Sequence, residues 1–380
     1  MNPALDIAAE ICRFLDNEIR PIADQMDERQ EFPSHLITAA GATGLWGMCI
    51  PADYAGIDLG AHQFSHVCQA AGQASASMLS LITVHSMVSA AITRWGSEQQ
   101  KQLWLPAMAS GERIAAFALS EPEVGSDVTN VQTTFTKRGD ELVINGKKKW
   151  ISAAQVADLF LVSGDMEGKL VVVMVDRSAI GLEVQPIEGM LGFRAAMLGE
   201  VNFSNCYVPA DCVLGSTSMG LSLLVGSVLD LGRHAIACGS VGVAQACVEL
   251  SMQYAASRHV QGQPLNQLQL IQKMLTDMAV ETRAAKLMCQ DAATARQNLD
   301  PNMIVKSMSA KYFASLVAKK AADNTVQILG AYGCSAESSA QRLLRDAKIM
   351  EIIEGSTQIQ QSIIAGYGEH WVVQSGAENE

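Results

Sequence analysis

At 380 residues the chain exceeds the roughly 100–200 residues of one domain, so two or three packed units are expected. Its composition, 49% hydrophobic and 17% charged, is that of a well-folded globular protein and excludes extended disorder. A net charge of −12 argues against a nucleic-acid partner, which needs a basic face, and leaves small anionic ligands open.

Met1 to Glu10 carries Asp6 and Glu10 where a secretory signal would have a basic stretch and then an apolar one, so no such signal is expected. Ile7, Ile11, Phe14 and Ile19 recur at helical spacing, and Ser97 with Gln100 forms a capping-box pattern ahead of Leu103 and Trp104. The first hundred or so residues are therefore expected to be helical. His62 and His66 stand four apart on this stretch without the acidic residue of HExxH between them, which favours an ordinary helix face over a metal site. No apolar run approaches the roughly 18 residues of a membrane span; the densest, Leu170 to Val175, closes at Asp176, so no membrane partner is expected. Nine scattered cysteines, odd in number and without a CxxC pair, fit reduced thiols in a cytoplasm.

From about Val131 the pattern becomes strand-like: Val131 to Lys137, Glu141 to Asn145, Leu159 to Val162, Leu170 to Val175, Leu182 to Ile187 and Glu200 to Phe203, separated by turn residues such as Gly139-Asp140 and Asn145-Gly146. This predicts an antiparallel β unit. After about Gly220 long alanine-, leucine- and glutamine-rich helical stretches run to about Tyr367, broken near Gln261 to Pro264 and Asn298 to Pro301, with a frayed tail from Gln374 to Glu380. The expected architecture is α+β: a helical unit over residues 1–114, a β unit over 115–218 and a helical unit over 219–380. The absence of βαβ alternation argues against a doubly wound nucleotide fold.

Three segments at the junctions carry chemistry. Ala115 to Asp127 runs from an apolar stretch into the small-residue loop Ser120-Glu121-Pro122-Glu123-Val124-Gly125-Ser126-Asp127, whose N–H groups and hydroxyls suit a ring or phosphate, though alone it reads equally well as a strand and a turn. Lys149-Trp150-Ile151-Ser152 places an indole beside a hydroxyl; such a Trp could flank a flat cofactor, but a lone Trp more often belongs to the core. Glu354 closes an apolar stretch before Gly355, as a carboxylate held in poor solvent at a bend would; alone it could equally be a helix-terminal surface residue.

Together, in this order and at these separations, the three segments resemble the acyl-CoA dehydrogenase family over nearly the whole chain. The resemblance implies that family's fold, with an N-terminal helical domain, a middle antiparallel β domain and a C-terminal four-helix bundle, and FAD as cofactor. By position, Phe117, Leu119, Ser120, Gly125 and Ser126 would line the flavin and pyrophosphate, with Ser126 also near the acyl thioester, and Trp150, Ile151 and Ser152 would cover the other flavin face. Asp230 and Arg233 match the Asp-x-x-Arg that holds the pantetheine and nucleotide end of the substrate. Arg258, Gln269 and the segment Gln327, Ile328, Leu329, Gly330, Ala331 match residues that reach the FAD of a neighbouring subunit. Ser356 and Gln358 would complete the flavin contacts, and Glu354-Gly355 is similar to the catalytic Glu-Gly, with Gly355 beside the substrate. Some members carry the base at the position of Gly232, which cannot serve here and leaves Glu354 as the candidate.

The implied reaction removes the α-proton of an acyl thioester with a carboxylate while fixed donors polarise the carbonyl, and a β-hydride passes to flavin N5. An electron-transfer flavoprotein or another acceptor would take the electrons, and the chain would form at least a homodimer, or a tetramer packed through its C-terminal helices. Ile353, Gln261 and Ala331 depart from the family's usual Tyr, Phe and Gly, which implies a weaker grip on FAD. Leu191 to Met197, Leu79 to Trp95 and Met350 to Ser356 resemble the branch that acts on acyl carrier proteins in polyketide and nonribosomal pathways, where the acyl group is a short polar precursor of a hydroxymalonyl, methoxymalonyl or aminomalonyl unit. A dehydrogenase of free CoA esters, a non-catalytic flavin-binding homologue and an oxidase share these motifs.

Overall fold

The structure, a computed structural model, describes residues 3–128, 130–218, 220 and 228–377. Six helices open the chain: α1 (Pro3–Phe14), α2 (Ala23–Arg29), α3 (Ser34–Ala42), α4 (Ala61–Ala74), α5 (Ala76–Trp95) and α6 (Glu98–Ser110). The expected capping box starts α6: Ser97 accepts from the Gln100 N–H, and the Gln100 side chain accepts from the Ser97 N–H. The Gln100 amide also donates to the carbonyls of Asp211 and Val213 at 2.6 and 2.9 Å, so one side chain both caps the helix and ties this unit to the next.

Seven strands follow: β1 (Ala115–Ala118), β2 (Thr134–Arg138), β3 (Glu141–Ile151), β4 (Leu159–Met166), β5 (Lys169–Asp176), β6 (Leu182–Pro186) and β7 (Gly199–Pro209). They form one sheet ordered β1-β4-β2-β3-β7-β6, with β5 on the other edge of β4. The expected antiparallel unit needs a correction. Pairings β2–β3, β3–β7, β4–β5 and β6–β7 are antiparallel, but β1 and the start of β2 lie parallel to β4. A short apolar run such as Ala115–Ala118 carries no directional signal, because both of its faces are buried.

The last unit comprises α7 (Leu229–Ser257), α8 (Gln269–Gln297), α9 (Met303–Leu329), α10 (Ala340–Met350) and α11 (Thr357–Ala377). The breaks between α7, α8 and α9 fall at the two stretches the sequence marked. Its expected start, after about Gly220, runs into residues 221–227, outside the described ones. The tail expected to fray from Gln374 is helical through Ala377, and residues 378–380 lie outside the described ones.

The expectation about long apolar runs is also corrected. Ala76–Trp95 and Leu229–Ser257 are each long and apolar enough to cross a membrane, yet 89% and 72% of their apolar windows are buried inside the protein. Hydroxyl residues interrupt the run in α5, and two of them bond within the helix: Thr83 donates to the Leu79 carbonyl at 2.7 Å and Ser89 to that of His85 at 2.8 Å. α5 is thus a core helix that can afford polar residues on every face.

Candidate active site

Between α10 and α11 the chain bends through Glu351–Ser356, and two consecutive residues take left-handed backbone conformations, Glu354 at φ 53° and Gly355 at φ 89°. Glycine adopts this region without penalty; a glutamate does so only when its surroundings impose it. Two buried donors supply the constraint. Gln360, in the first turn of α11, donates to the carbonyls of Glu354 and Gly355 at 3.0 and 3.3 Å. Lys311, from the middle of α9, donates to the Gly355 carbonyl at 2.6 Å and to the Glu351 carbonyl at 3.4 Å.

The bend turns the Glu354 carboxylate toward α7. A Cβ added at Gly232 would overlap Glu354 Oε2 and lie 2.7 Å from both its Cδ and the Met87 sulfur. Position 232 and the Glu354 carboxylate therefore face one another, and the missing side chain at Gly232 makes room for the carboxylate. Oε2 is buried and has no hydrogen-bond partner. Burial pushes the Glu354 carboxyl up to about 7, against the downward pull of the Arg233 and Lys311 cations. A carboxylate without a partner and poised near neutral pH is fitted to take a proton.

Helix α5 spans from this base to the middle unit. Met87 touches the Gly232–Glu354 contact, and two turns earlier Ser80 donates to the Ser152 hydroxyl at 2.9 Å, a rise of about 10 Å along the helix. Ser80 and Thr83 put buried hydroxyls on the intervening turns. Ile151 ends strand β3 and Ser152 opens the turn after it, beside Trp150, which has φ 64° and is 48% exposed, with the Lys149 ammonium 4.8 Å from its ring centre. The indole is thus not a core residue. An aromatic surface left open in this way suits a flat ligand.

The loop after β1 is held from beneath by a dense ionic knot. Glu121 and Lys148 are both buried and pair at 2.7 Å; Lys148 also donates to the Leu119 carbonyl and to Ser163. Glu121 further accepts from the N–H groups of Gln132 and Thr133 and from the Thr133 hydroxyl. The Lys149 N–H donates to the Ser120 carbonyl at 2.9 Å, which fastens the loop to β3 just before Trp150. Above this knot Phe117 and Leu119 are nearly covered, while Gly125 and Ser126 are exposed.

Among the remaining residues the sequence marked, Ser356 lies half-buried in the Glu351–Ser356 bend and Gln358 is exposed two residues on. Arg233 is buried against Gly355, its Nε without a partner. Asp230 pairs with Arg296 of α8, and its Oδ1 is unpartnered. Arg258, Gln269, Gln327, Gly330 and Ala331 are all exposed, at the far ends of α7 and α9 and the start of α8. The sequence reading did not include Lys148, Gln360, Arg296 or Lys311. Nothing in the residues adjacent to them marks these four, since their partners come from other elements.

FAD, the group implied by the family resemblance, fits these residues. The space beside Gly125 is open, with no heavy atom within 4 Å of where a Cβ would stand, and the exposed Trp150 indole and the Ser126 hydroxyl offer an apolar face and a donor. Arg258 is an exposed cation of the kind that pairs with phosphate oxygens.

Comparison with known proteins covers the whole architecture. Family models for the N-terminal, middle and C-terminal domains of acyl-CoA dehydrogenase match residues 4–112, 116–206 and 219–367. The chain is 35% identical over 365 residues to the short-chain specific acyl-CoA dehydrogenase of Rattus norvegicus mitochondria, covering 94% of this chain and 88% of that one. Among solved structures it is similar to FkbI, described as serving biosynthesis of the methoxymalonyl extender unit of a polyketide immunosuppressant. That match has a TM-score of 0.87, 29% identity and coverage of 96% and 99% of the two chains. It is also similar to the prolyl acyl carrier protein oxidase AnaB, with a TM-score of 0.90, 25% identity and coverage of 97% and 99%.

Proposed function

Because the chain belongs to the acyl-CoA dehydrogenase family, FAD-dependent oxidoreductases acting on CH–CH bonds of acyl thioesters, we propose that Glu354 is its α-proton base and that its acyl group is a short polar unit on an acyl carrier protein. The observation that carries the first part is the Glu354 carboxylate, buried, unpartnered at Oε2 and raised to about 7. Ionised, it takes the α-proton; the Gly355 bend fixed by Lys311 and Gln360 presents it toward the space between α5 and α7. FAD, when bound, supplies the acceptor for the β-hydride. Phe117, Leu119, Ser120, Gly125, Ser126, Trp150, Ile151 and Ser152 would hold it, together with Ser356 and Gln358. Asp230 and Arg233 would meet the carrier end of the thioester. Arg233 also steadies the ionised base, since it is one of the two cations that favour it.

The acyl assignment is supported by the hydroxyls of Ser80 and Thr83 on the α5 face between base and indole, which suit a polar acyl group better than a long alkyl chain, and by the likeness to FkbI and AnaB. The identity to the short-chain specific enzyme favours a second reading, oxidation of free CoA esters. The same acyl groups, presented once as CoA esters and once on a phosphopantetheinylated carrier protein and read by mass spectrometry, separate the two. A shift of 2 mass units on the carrier alone is the expected result; turnover of the CoA esters at equal or higher kcat/KM overturns the carrier assignment.

The exposed residues Arg258, Gln269, Gln327, Gly330 and Ala331 serve the FAD of a neighbouring copy in this reading, in at least a homodimer. Leu270, Val280 and Leu287, 78%, 62% and 49% exposed along α8, supply apolar surface for such contact. Light scattering checks it: a monomer that retains FAD contradicts it. The electrons leave to an electron-transfer flavoprotein or another acceptor, and oxygen consumption during turnover distinguishes an oxidase.

A further inference from the structure

Lys311 lies on α9, 43 residues before the base, and its side chain is fully buried. A buried ammonium is expensive unless it is satisfied, and the groups it meets are backbone carbonyls on both sides of the base: Glu351 at the end of α10 and Gly355 just after Glu354. Its charge acts on the Glu354 carboxylate, which in turn favours the protonated lysine. We propose that Lys311 is a positioning residue for proton abstraction: its ammonium clamps the Gly355 carbonyl to keep Glu354 in its left-handed bend, and supplies positive charge against which the base ionises. The proposal deepens the reading of Glu354 as the base and rests on it.

The charged groups facing Glu354 are few. Arg233, with Asp230 one turn before it, approaches from α7, Glu351 precedes the base on its own bend, and Lys311 comes from α9; α5 offers the neutral Met87 and α11 the neutral Gln360. Arg233 must also answer to Asp230 and to the bound thioester, whereas Lys311 is enclosed behind the bend and acts on the base alone among site carboxylates beyond Glu351. Removing it leaves Arg233 as the one cation facing the base among the described residues.

Two variants separate clamp from charge. Lys311→Gln keeps a donor and removes the charge; Lys311→Met removes both. With FAD-loaded protein and a substrate found in the carrier and CoA panel, anaerobic flavin reduction is followed from pH 5.5 to 9.5. Lys311→Gln should bind FAD and thioester within about twofold of the wild type while its pH–rate midpoint rises by about one unit or more, the range expected for losing one nearby opposite charge. Lys311→Met should show that shift and also a plateau rate lower by about 10-fold or more, since the bend loses its anchor. Infrared titration of carboxyl-13C glutamate, taken as wild type minus Glu354→Gln, should place the same midpoint shift on Glu354 without turnover. An unchanged midpoint in the Gln variant overturns the proposal, as does failure of both variants to fold with FAD, which would make Lys311 a folding residue. The underlying reading fails separately, if Glu354→Gln itself reduces flavin normally.

Discussion

Glu121, a buried glutamate, and Glu354, half-buried with its Oε2 enclosed, each face a buried lysine, yet they are opposites. Glu121 spends both oxygens on Lys148, Thr133 and two backbone N–H groups, and these partners hold its carboxyl below the usual range against the upward push of burial. Glu354 has two cations nearby but no hydrogen bond at Oε2, and burial lifts it to about 7. The lysines differ less: burial pushes each down to about 8. Satisfaction of the carboxylate therefore separates Glu121, which holds the Leu119–Ser120 loop in place, from Glu354, the proposed base. In the proposed base, the hydrogen bonds granted to Glu121 are withheld.

The largest effect is expected at the unsatisfied site. Glu354→Gln keeps shape and removes the base, so flavin reduction by substrate should fall by about 10² to 10⁴ while FAD content stays normal. Anaerobic stopped-flow bleaching measures it, and normal bleaching would put Glu354 with Glu121 among structural carboxylates. At the satisfied site the loss should appear in stability instead. Lys148→Met strands a buried carboxylate and should lower unfolding free energy by about 3–5 kcal/mol, with FAD released early because the knot carries the Leu119–Ser120 loop. Adding Glu121→Leu should not restore it, since the Gln132 and Thr133 N–H groups then lose their acceptor. Urea titration followed by flavin fluorescence reads both.

How much of this contrast the sequence could tell depends on whether the decisive partner is local. The order helix, sheet, helix was legible in periodicity, and the proposed roles of Glu354, the Ser120–Asp127 loop and the Trp150 indole rest on adjacent residues. Glu121 sat inside the recognised loop, but its role depends on Lys148, 27 residues away on a strand that reads as an exposed basic stretch. Lys311 carries no mark in Ser-Ala-Lys-Tyr-Phe, where nothing shows that α9 is buried. Gly232 was read only as an absent base; its spatial role needed α7 and the bend in contact. α5 escaped the search for apolar runs because hydroxyls that bond their own helix carbonyls look polar in sequence and are buried in the fold.

The contrast also sets a pH dependence of stability. The folded-state value of Glu354, about 7, lies above its ordinary 4.5, so the folded protein binds a proton that the unfolded chain has released between those values. Its contribution to stability is therefore full below about 4.5 and is lost as pH rises through about 7. Glu354→Gln removes that loss: the variant should be more stable than wild type by up to about 3 kcal/mol at pH 8, the difference shrinking to under about 1 kcal/mol at pH 5. Urea midpoints at the two pH values, at equal FAD saturation, check it. A constant difference would show that Glu354 is ionised throughout, as Glu121 is.

The smallest effect should come from refilling the space that keeps Glu354 unsatisfied. Gly232 lies inside helix α7, where alanine is the better helix former by roughly 0.5–1 kcal/mol, and the atoms its methyl would meet are movable side-chain ends: the Glu354 carboxylate and the Met87 sulfur. Gly232→Ala should therefore fold at least as well as wild type and keep its FAD. The methyl displaces the carboxylate from its seat between α5 and α7, and a shift of about 1 Å in a catalytic group costs up to about 100-fold in rate. A drop of roughly 10- to 100-fold in flavin reduction, with Tm unchanged or raised, is the expected outcome, measured by stopped flow and thermal denaturation on one preparation. An undiminished rate would mean that the base has room elsewhere, and that the emptiness of position 232 has no part in holding it ready.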